Sequence, residues 1–185
     1  MIDVNQARKG TTFTDGDELY KVLDFWHNKP GRGNATVRLS VRNLRSGAIR
    51  DLTYNSGQRV QDIEVEERTV QYLYDDGEHL TFMDMESFEQ PQLKRELFGD
   101  DVSYLKENLE ITLNTYEGEI IDYGLPINID YKVIEADPSF MGDTAGAGLK
   151  RCVIETGRVV MVPPFVSVGD TIRVKAEDGT YQTRV

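Results

Sequence analysis

The sequence predicts an all-β protein made of three small β-barrels. Apolar and polar residues alternate over short runs, as in Val37, Leu39 and Val41, and this is the period of a half-buried strand. Tight-turn signals such as Asp76-Gly77 and Glu117-Gly118 separate the runs. Many short strands joined by such turns are typical of small barrels.

Composition limits the class of protein. With 39% hydrophobic residues in 185, the chain can bury real cores. No run approaches the roughly 20 apolar residues that a membrane span needs, and the N-terminus lacks a charged-then-apolar signal pattern. The single cysteine, Cys152, is expected to be a small buried side chain in a reducing compartment. We therefore expect a cytoplasmic protein with no membrane partner.

Residues 1–63 are expected to form the first domain, an SH3-like barrel. Two alternating runs, Glu18–Trp26 and Ala35–Leu44, flank a loop that contains proline and glycine, and this pattern predicts a long hairpin. On the second run, Arg38 and Arg42 share the face opposite the aliphatic side chains. Such a loop more often only connects two strands, and the arginine at its tip is more often only solvated.

The charge distribution favours a functional role for this hairpin. Between Phe25 and Arg50 there are six basic residues and no acidic one, a stretch that we name the basic island. Residues 1–63 carry a net charge of +3 and residues 64–185 a net charge of −14. A basic head suits docking against phosphate while an acidic body is repelled from RNA. Alternatively, the acidic half only confers solubility. The members of the basic island are Lys29, Arg32, Arg38, Arg42, Arg45 and Arg50.

Residues 64–126 are expected to form the second domain, an OB-fold. Two hairpins flank a region with helical turns from Pro91 to Phe98, followed by a short helix that Asp100 or Asp101 would cap. Residues 127–185 are expected to form a third small barrel, interrupted by a loop rich in glycine and alanine between Asp137 and Gly148.

Catalytic and metal-binding patterns are missing from the sequence. The chain has two histidines in different segments and one cysteine, which do not make a metal-ligand cluster. The acidic turn at Asp75 to Glu78 lacks the spacing of a calcium loop, and the stretch from Gly142 to Lys150 lacks the ending of a phosphate-binding loop. We expect no catalytic residue, no metal and no cofactor, and hence a protein that is not an enzyme.

Four sets of residues occur in the order and spacing of a known family. They are the loop Lys29 to Ala35; Tyr72 to Tyr74 with Asp76, Gly77, Phe82 to Asp84, Glu86 and Phe88 to Gln90; Gly142 to Gly146; and Gly157, Val162, Pro163, Phe165, Val166, Gly169, Gly179, Tyr181 and Arg184. On these residues the chain resembles the bacterial translation elongation factor P proteins over essentially its whole length.

The resemblance implies an L-shaped, tRNA-like arrangement of an SH3/KOW-like barrel followed by two OB-folds. It also implies a function: binding the 70S ribosome between the P and E sites and stimulating peptide-bond formation at polyproline stalls by positioning the P-site tRNA. The ribosome would perform the chemistry, and the factor would stabilise a productive geometry. A tRNA mimic of this kind is expected to be a monomer.

The resemblance also assigns sites. The tip loop would reach toward the peptidyl-transferase centre, beside the CCA end and acceptor arm of the P-site tRNA, and the third-domain loop would face the small subunit and the E-site mRNA. The tip loop is Lys29, Pro30, Gly31, Arg32, Gly33 and Asn34. The candidates for RNA contact are Arg38, Arg42, Gly142, Asp143, Thr144, Tyr181 and Arg184.

Arg32 departs from many relatives, which carry a modified lysine at the tip. It is the candidate modification site, and the resemblance leaves open whether a modifying enzyme acts on it and with what group. Two other functions remain open: an elongation-factor-P-like paralogue, and a KOW/OB RNA-binding adaptor that acts away from the peptidyl-transferase centre.

Overall fold

The computed structural model of the chain describes residues 1–29, 31, 33–138 and 148–185. Two predicted tip residues, Pro30 and Arg32, lie outside the described residues, as do Gly142, Asp143 and Thr144 of the third-domain loop. The described chain is almost entirely β-strand, which confirms the all-β fold class. Its only helical turns are 3₁₀ helices at Val4–Gln6, Arg95–Leu97 and Gly99–Tyr104.

The first of three sheets carries Arg38, Arg42 and Arg50 of the basic island on its strands. Its strands are β1 (Ile2–Asp3), β2 (Thr12–Asp15), β3 (Glu18–Asn28), β4 (Thr36–Asn43), β5 (Ile49–Asn55) and β6 (Arg59–Asp62), in the spatial order β1-β6-β2-β3-β4-β5. The long hairpin predicted around the central loop is confirmed, because β3 and β4 pair antiparallel from Tyr20 and Asn43 to Asn28 and Thr36.

The second and third sheets have five strands each. The second contains β7 (Glu66–Asp75), β8 (His79–Asp84), β9 (Gln92–Lys94), β10 (Glu110–Tyr116) and β11 (Glu119–Gly124), in the order β11-β10-β7-β8-β9. The third contains β12 (Asn128–Ala136), β13 (Lys150–Ile154), β14 (Val159–Val162), β15 (Thr171–Lys175) and β16 (Thr180–Arg184), in the order β14-β13-β12-β15-β16. Strand β14 also contacts β16, so the two ends of the third sheet meet.

Inward-facing side chains of each sheet build separate cores. Phe13, Tyr20 and Leu39 are among the buried residues of the first sheet, where Phe13 packs against two tyrosine rings. In the second sheet Phe82 lies between Tyr72 and Phe98, with ring centroids 5.7 and 5.6 Å away. Cys152 is fully buried in the third core, and burial raises the pKa of its thiol, which confirms the prediction of a small apolar side chain.

The helical prediction for residues 91–109 is partly wrong. Strand β9 replaces the first expected helical turns, because Leu93 is buried opposite Leu80 while its neighbours Gln92 and Lys94 are exposed. The helix expected after Gly99 is a single 3₁₀ segment. No side chain caps it, so neither Asp100 nor Asp101 has the predicted capping role.

The described chain packs as two compact units. One comprises Met1–Glu67 with Leu113–Tyr123, and the other comprises Arg68–Thr112 with Gly124–Val185. The domain boundaries near residues 63 and 126 stay predictions. Among the described residues, no helix has the length and apolar character needed to cross a membrane.

Candidate nucleic-acid interface

The candidate interface is the far end of the β3–β4 hairpin. The last cross-strand pair is Asn28 with Thr36, so residues 29–35 form the connecting loop. Gly33 has a φ of +110°, a conformation that L side chains rarely adopt, so this loop requires glycine at that position. The paired ribbon therefore ends at Asn28 and Thr36, and the role of the tip residues between them stays a prediction.

A β-bulge in β3 decides which side chains this ribbon exposes. Val22 pairs with Val41, but Asp24 pairs with Ser40, so Leu23 is an extra residue on its strand. The bulge shifts the alternation by one residue, which turns Phe25 toward the buried Leu39 and Trp26 toward the exposed Arg38. The apolar run from Leu19 to Trp26 gives no sequence signal for this shift.

Trp26 and Arg38 form an aromatic and cationic pair on the outer face of the hairpin. The Trp26 side chain is 48% exposed, and the Arg38 Cζ lies over its ring, 5.5 Å from the centroid. Arg38 is also held by Asp51 on β5, whose carboxylate accepts a hydrogen bond from the Arg38 Nε at 3.1 Å. Arg38 is thus on the exposed face that the sequence predicted, and it has an acidic partner that the sequence did not predict.

Arg42 lies at the base of the hairpin, in contact with a nearly buried carboxylate. Its Nη2 donates to Asp122 Oδ1 at 2.7 Å, and Lys21 Nζ on the neighbouring strand donates to Asp122 Oδ2 at 2.5 Å. The Asp122 side chain is only 6% exposed. Sequence reasoning missed Asp122, and the only available signal was an acidic residue inside the apolar run of β11.

Four of the six basic-island residues therefore contact an acidic or aromatic side chain of the protein itself. Arg45 contacts Glu119 at 3.3 Å and donates to the Asp17 carbonyl at 2.8 Å. The Arg50 guanidinium lies over the Tyr20 ring, 5.1 Å from its centroid. The island contains no acidic residue, but acids from β5 and β11 approach it in the fold.

The two candidates near the C-terminus lie on one strand and have different surroundings. Tyr181 is partly buried and packs against the third core. Arg184 lies over the ring of Phe165, 5.3 Å from its centroid, and its Nη1 is 3.6 Å from Asp170 Oδ2. A role for either side chain in RNA contact stays a prediction.

In the acidic turn, the carboxylates of Asp75 and Asp76 accept hydrogen bonds from backbone N–H groups of the same turn. The Asp76 carboxylate accepts the N–H groups of Glu78 and His79 at 2.9 and 2.7 Å, and these bonds lower the pKa of Asp76. Within the described ranges, no group of three or more His, Cys, Asp or Glu side chains is placed to hold a metal ion.

Comparison with family models covers nearly the whole chain. Residues 3–60 match the elongation factor P (EF-P) KOW-like domain, residues 65–123 match the elongation factor P (EF-P) OB domain, and residues 129–184 match the elongation factor P C-terminal domain. The three matches follow one another in the order that the sequence predicted.

Individual relatives agree with the family models. The chain is 43% identical to elongation factor P from Moorella thermoacetica over 184 residues, a match that covers 100% of both proteins. Among solved structures, the eukaryotic translation initiation factor 5A from Methanococcus jannaschii aligns with a TM-score of 0.53 at 17% identity. That alignment covers 68% of this chain and 90% of the other, and it is a likeness of fold alone.

Proposed function

The chain belongs to the elongation factor P family, and on that premise we propose that it binds the ribosome between the P and E sites and stimulates peptide-bond formation at polyproline stalls. The hairpin carries the tip loop toward the peptidyl-transferase centre, beside the CCA end and acceptor arm of the P-site tRNA. The ribosome performs the reaction in the cytoplasm, and the factor is not an enzyme.

The observation that carries the proposal is the construction of the hairpin. A paired ribbon extends from Tyr20 and Asn43 to Asn28 and Thr36, its base is tied down by Asp122, and its end presents the Lys29 to Ala35 loop. A rigid ribbon with two long cations, Lys29 and Arg32, in its end loop suits a positioning role, because holding reactants in a fixed geometry lowers the entropic part of a barrier. Arginine at the tip brings a planar group that stays charged.

The proposal assigns different tasks to the other RNA-contact candidates. Arg38, on the outer face of the hairpin, would contact the tRNA as the tip enters while it stays paired with Asp51. Gly142, Asp143 and Thr144 would contact the small subunit and the E-site mRNA. A modifying enzyme acting on Arg32 would lengthen the tip.

The test is the rate of synthesis through a Pro-Pro-Pro message in a reconstituted translation system. The arms are no factor, recombinant wild type, Arg32→Ala and Arg32→Lys, with a message lacking consecutive prolines as the control. Arg59→Ala is the matched variant, because Arg59 is an exposed arginine on β6 of the same sheet. We expect acceleration with wild type and Arg59→Ala, and nearly none with Arg32→Ala.

The size of the Arg32 effect separates the proposed factor from an RNA-binding adaptor. An adaptor would lose one phosphate contact, with a salt slope smaller by about one unit. If recombinant wild type gives no acceleration, protein purified from its native host is tested next, since it carries any modification of Arg32. Failure of that sample as well would overturn the proposed function.

A further inference from the structure

We propose that Asp122 is a positioning residue that sets the direction of the hairpin and so places the Arg32 loop. The role in peptide-bond formation rests on the proposed function, whereas the role in fixing the hairpin does not. All the contacts involved lie within the compact unit formed by Met1–Glu67 and Leu113–Tyr123.

Asp122 holds both strands of the hairpin at one level. Lys21 on β3 and Arg42 on β4 are direct cross-strand partners. Each contacts a different oxygen of the same carboxylate, Lys21 at Oδ2 and Arg42 at Oδ1, at 2.5 and 2.7 Å. A single anion between two cations on paired strands fixes the distance of each strand from β11 at this level, and together with Leu19 and Leu44, two residues nearer the base, it sets the tilt of the ribbon.

The surroundings of Asp122 favour a defined geometry. Its side chain is 6% exposed, so water competes weakly for its oxygens, and charge-assisted hydrogen bonds are directional. Beside it, Leu19, Leu44 and Ile121 form a buried apolar cluster. Apolar contact is non-directional and holds the hairpin base against β11. The ion pairs supply the orientation that this cluster lacks.

The length of the hairpin amplifies any error at its base. Because Leu23 is an extra residue on β3, the reach is counted on β4, where the six steps from Arg42 to Thr36 give about 20 Å at the rise of an extended strand. Over that reach, a tilt of about 5° at Asp122 displaces Asn28 by about 2 Å. A misplacement of about 1 Å in a positioned group can cost on the order of a hundredfold in rate. Loosening Asp122 should therefore reduce acceleration more than binding.

The first experiment compares Asp122→Asn with wild type in the Pro-Pro-Pro assay over a range of factor concentrations. We expect the maximal acceleration to fall at least about tenfold, while the concentration giving half of it changes less than about threefold. Asp122→Glu, which keeps the charge, should retain more acceleration than Asp122→Asn. An Asp122→Asn variant with wild-type maximal acceleration would overturn the proposal.

Asp130→Asn is the matched control. Asp130 accepts two hydrogen bonds from Arg173, at 2.7 and 2.9 Å, in the third sheet. Its removal breaks a two-hydrogen-bond ion pair of a more exposed aspartate, 36% against 6%, and leaves the hairpin base intact, so we expect wild-type acceleration. An equal loss in both variants would show that general destabilisation is responsible and would overturn the positioning role. If Asp122→Asn does not fold, Lys21→Gln, which removes one of the two contacts, is used with the same criteria.

A second readout needs no ribosome. Spin labels at Asn28→Cys and Glu67→Cys, both in the same compact unit, report the hairpin direction in a Cys152→Ala background. We expect one narrow distance distribution in wild type and in Asp130→Asn, and a broader or displaced one in Asp122→Asn. An unchanged distribution in Asp122→Asn would overturn the proposal. If wild type fails to accelerate synthesis, the proposed function fails, and the distance measurement still decides the role of Asp122.

Discussion

The guanidinium of Arg158 lies over the ring of Tyr104, with its Cζ 4.2 Å from the ring centroid. Arg158 Nη1 also donates to Ser103 Oγ at 2.6 Å. Gly179 lies against both side chains. A Cβ on Gly179 would lie 2.8 Å from Arg158 Nη2 and 3.0 Å from the Tyr104 hydroxyl. Gly179 thus lets an arginine, an aromatic ring and a strand turn come together.

Gly179→Ala should therefore lower the free energy of unfolding more than Gly169→Ala. Both glycines have positive φ, +71° and +90°, so each substitution carries backbone strain of about 1–3 kcal/mol. Only Gly179 adds crowding, and because the crowded atoms are side-chain ends of Arg158 and Tyr104, we expect a further cost of about 1 kcal/mol, the low end for overpacking. Urea denaturation measures both, and in an Arg158→Ala background the difference should shrink. Equal values for the two variants in the wild-type background would contradict this account.

Gly33→Ala and Gly31→Ala should differ in the tip loop. A Cβ meets no atom within 4 Å at either position, so space does not distinguish them. The φ of Gly33 is +110°, whereas the φ of Gly31 lies outside the region that disfavours side chains. We expect Gly33→Ala to reduce acceleration at Pro-Pro-Pro and Gly31→Ala to stay near wild type. The reverse order would show that the loop conformation at Gly33 is not required.

Asp84 should make stability depend on acid pH. Its carboxylate accepts the N–H groups of Ser87 and Glu86, at 3.0 and 2.8 Å, and these bonds lower the pKa of Asp84. A lowered folded-state pKa stabilises the protein above the unfolded value of about 3.9 and loses that effect as pH falls through the folded value.

Asp84→Asn should accordingly flatten the decline in the free energy of unfolding below about pH 4, measured by urea denaturation at successive pH values. Glu86→Gln, which changes an exposed side chain in the same turn, is the control and should keep the wild-type slope. A wild-type slope in Asp84→Asn would show that other carboxylates carry the acid sensitivity.

Trp26 offers a direct probe of the outer face of the hairpin, because it is the single tryptophan of the chain. Arg38 covers part of its ring, so Arg38→Ala should shift the emission to longer wavelength and increase quenching by acrylamide. Arg50→Ala removes an arginine that covers Tyr20 instead, and it should leave both quantities unchanged. No change in Arg38→Ala would mean that Arg38 does not shield the indole in solution.

Local pattern was enough to predict much of this fold. The alternation of Val37, Leu39 and Val41 defines a strand with one buried face, and the glycines around Arg32 define a hairpin end. Both features depend on neighbours in sequence, and so the strands and the hairpin that joins them were predictable.

The features that sequence reasoning missed depend on contacts between distant segments. The bulge at Leu23 adds one residue to β3, and a run with apolar residues on both sides gives no period from which to detect it. Asp122 is eighty residues from Arg42, and its pairing follows only from the packing of β11 beside the hairpin. Strand β9 was missed because three residues are too few to establish alternation.

The internal pairing of the basic island has a consequence for counterion release. Each protein cation that neutralises a nucleic-acid phosphate frees about 0.7 counterions from a single strand, so six such cations would give a slope of log affinity against log salt of about −4. Arg38, Arg42 and Arg45 already have carboxylate partners within the protein. Even if each of the other three island residues meets a phosphate, the slope contributed by this head is only about −2. The hairpin should therefore keep its affinity in the salt-rich interior of a cell, where a six-cation ribbon would lose much of it.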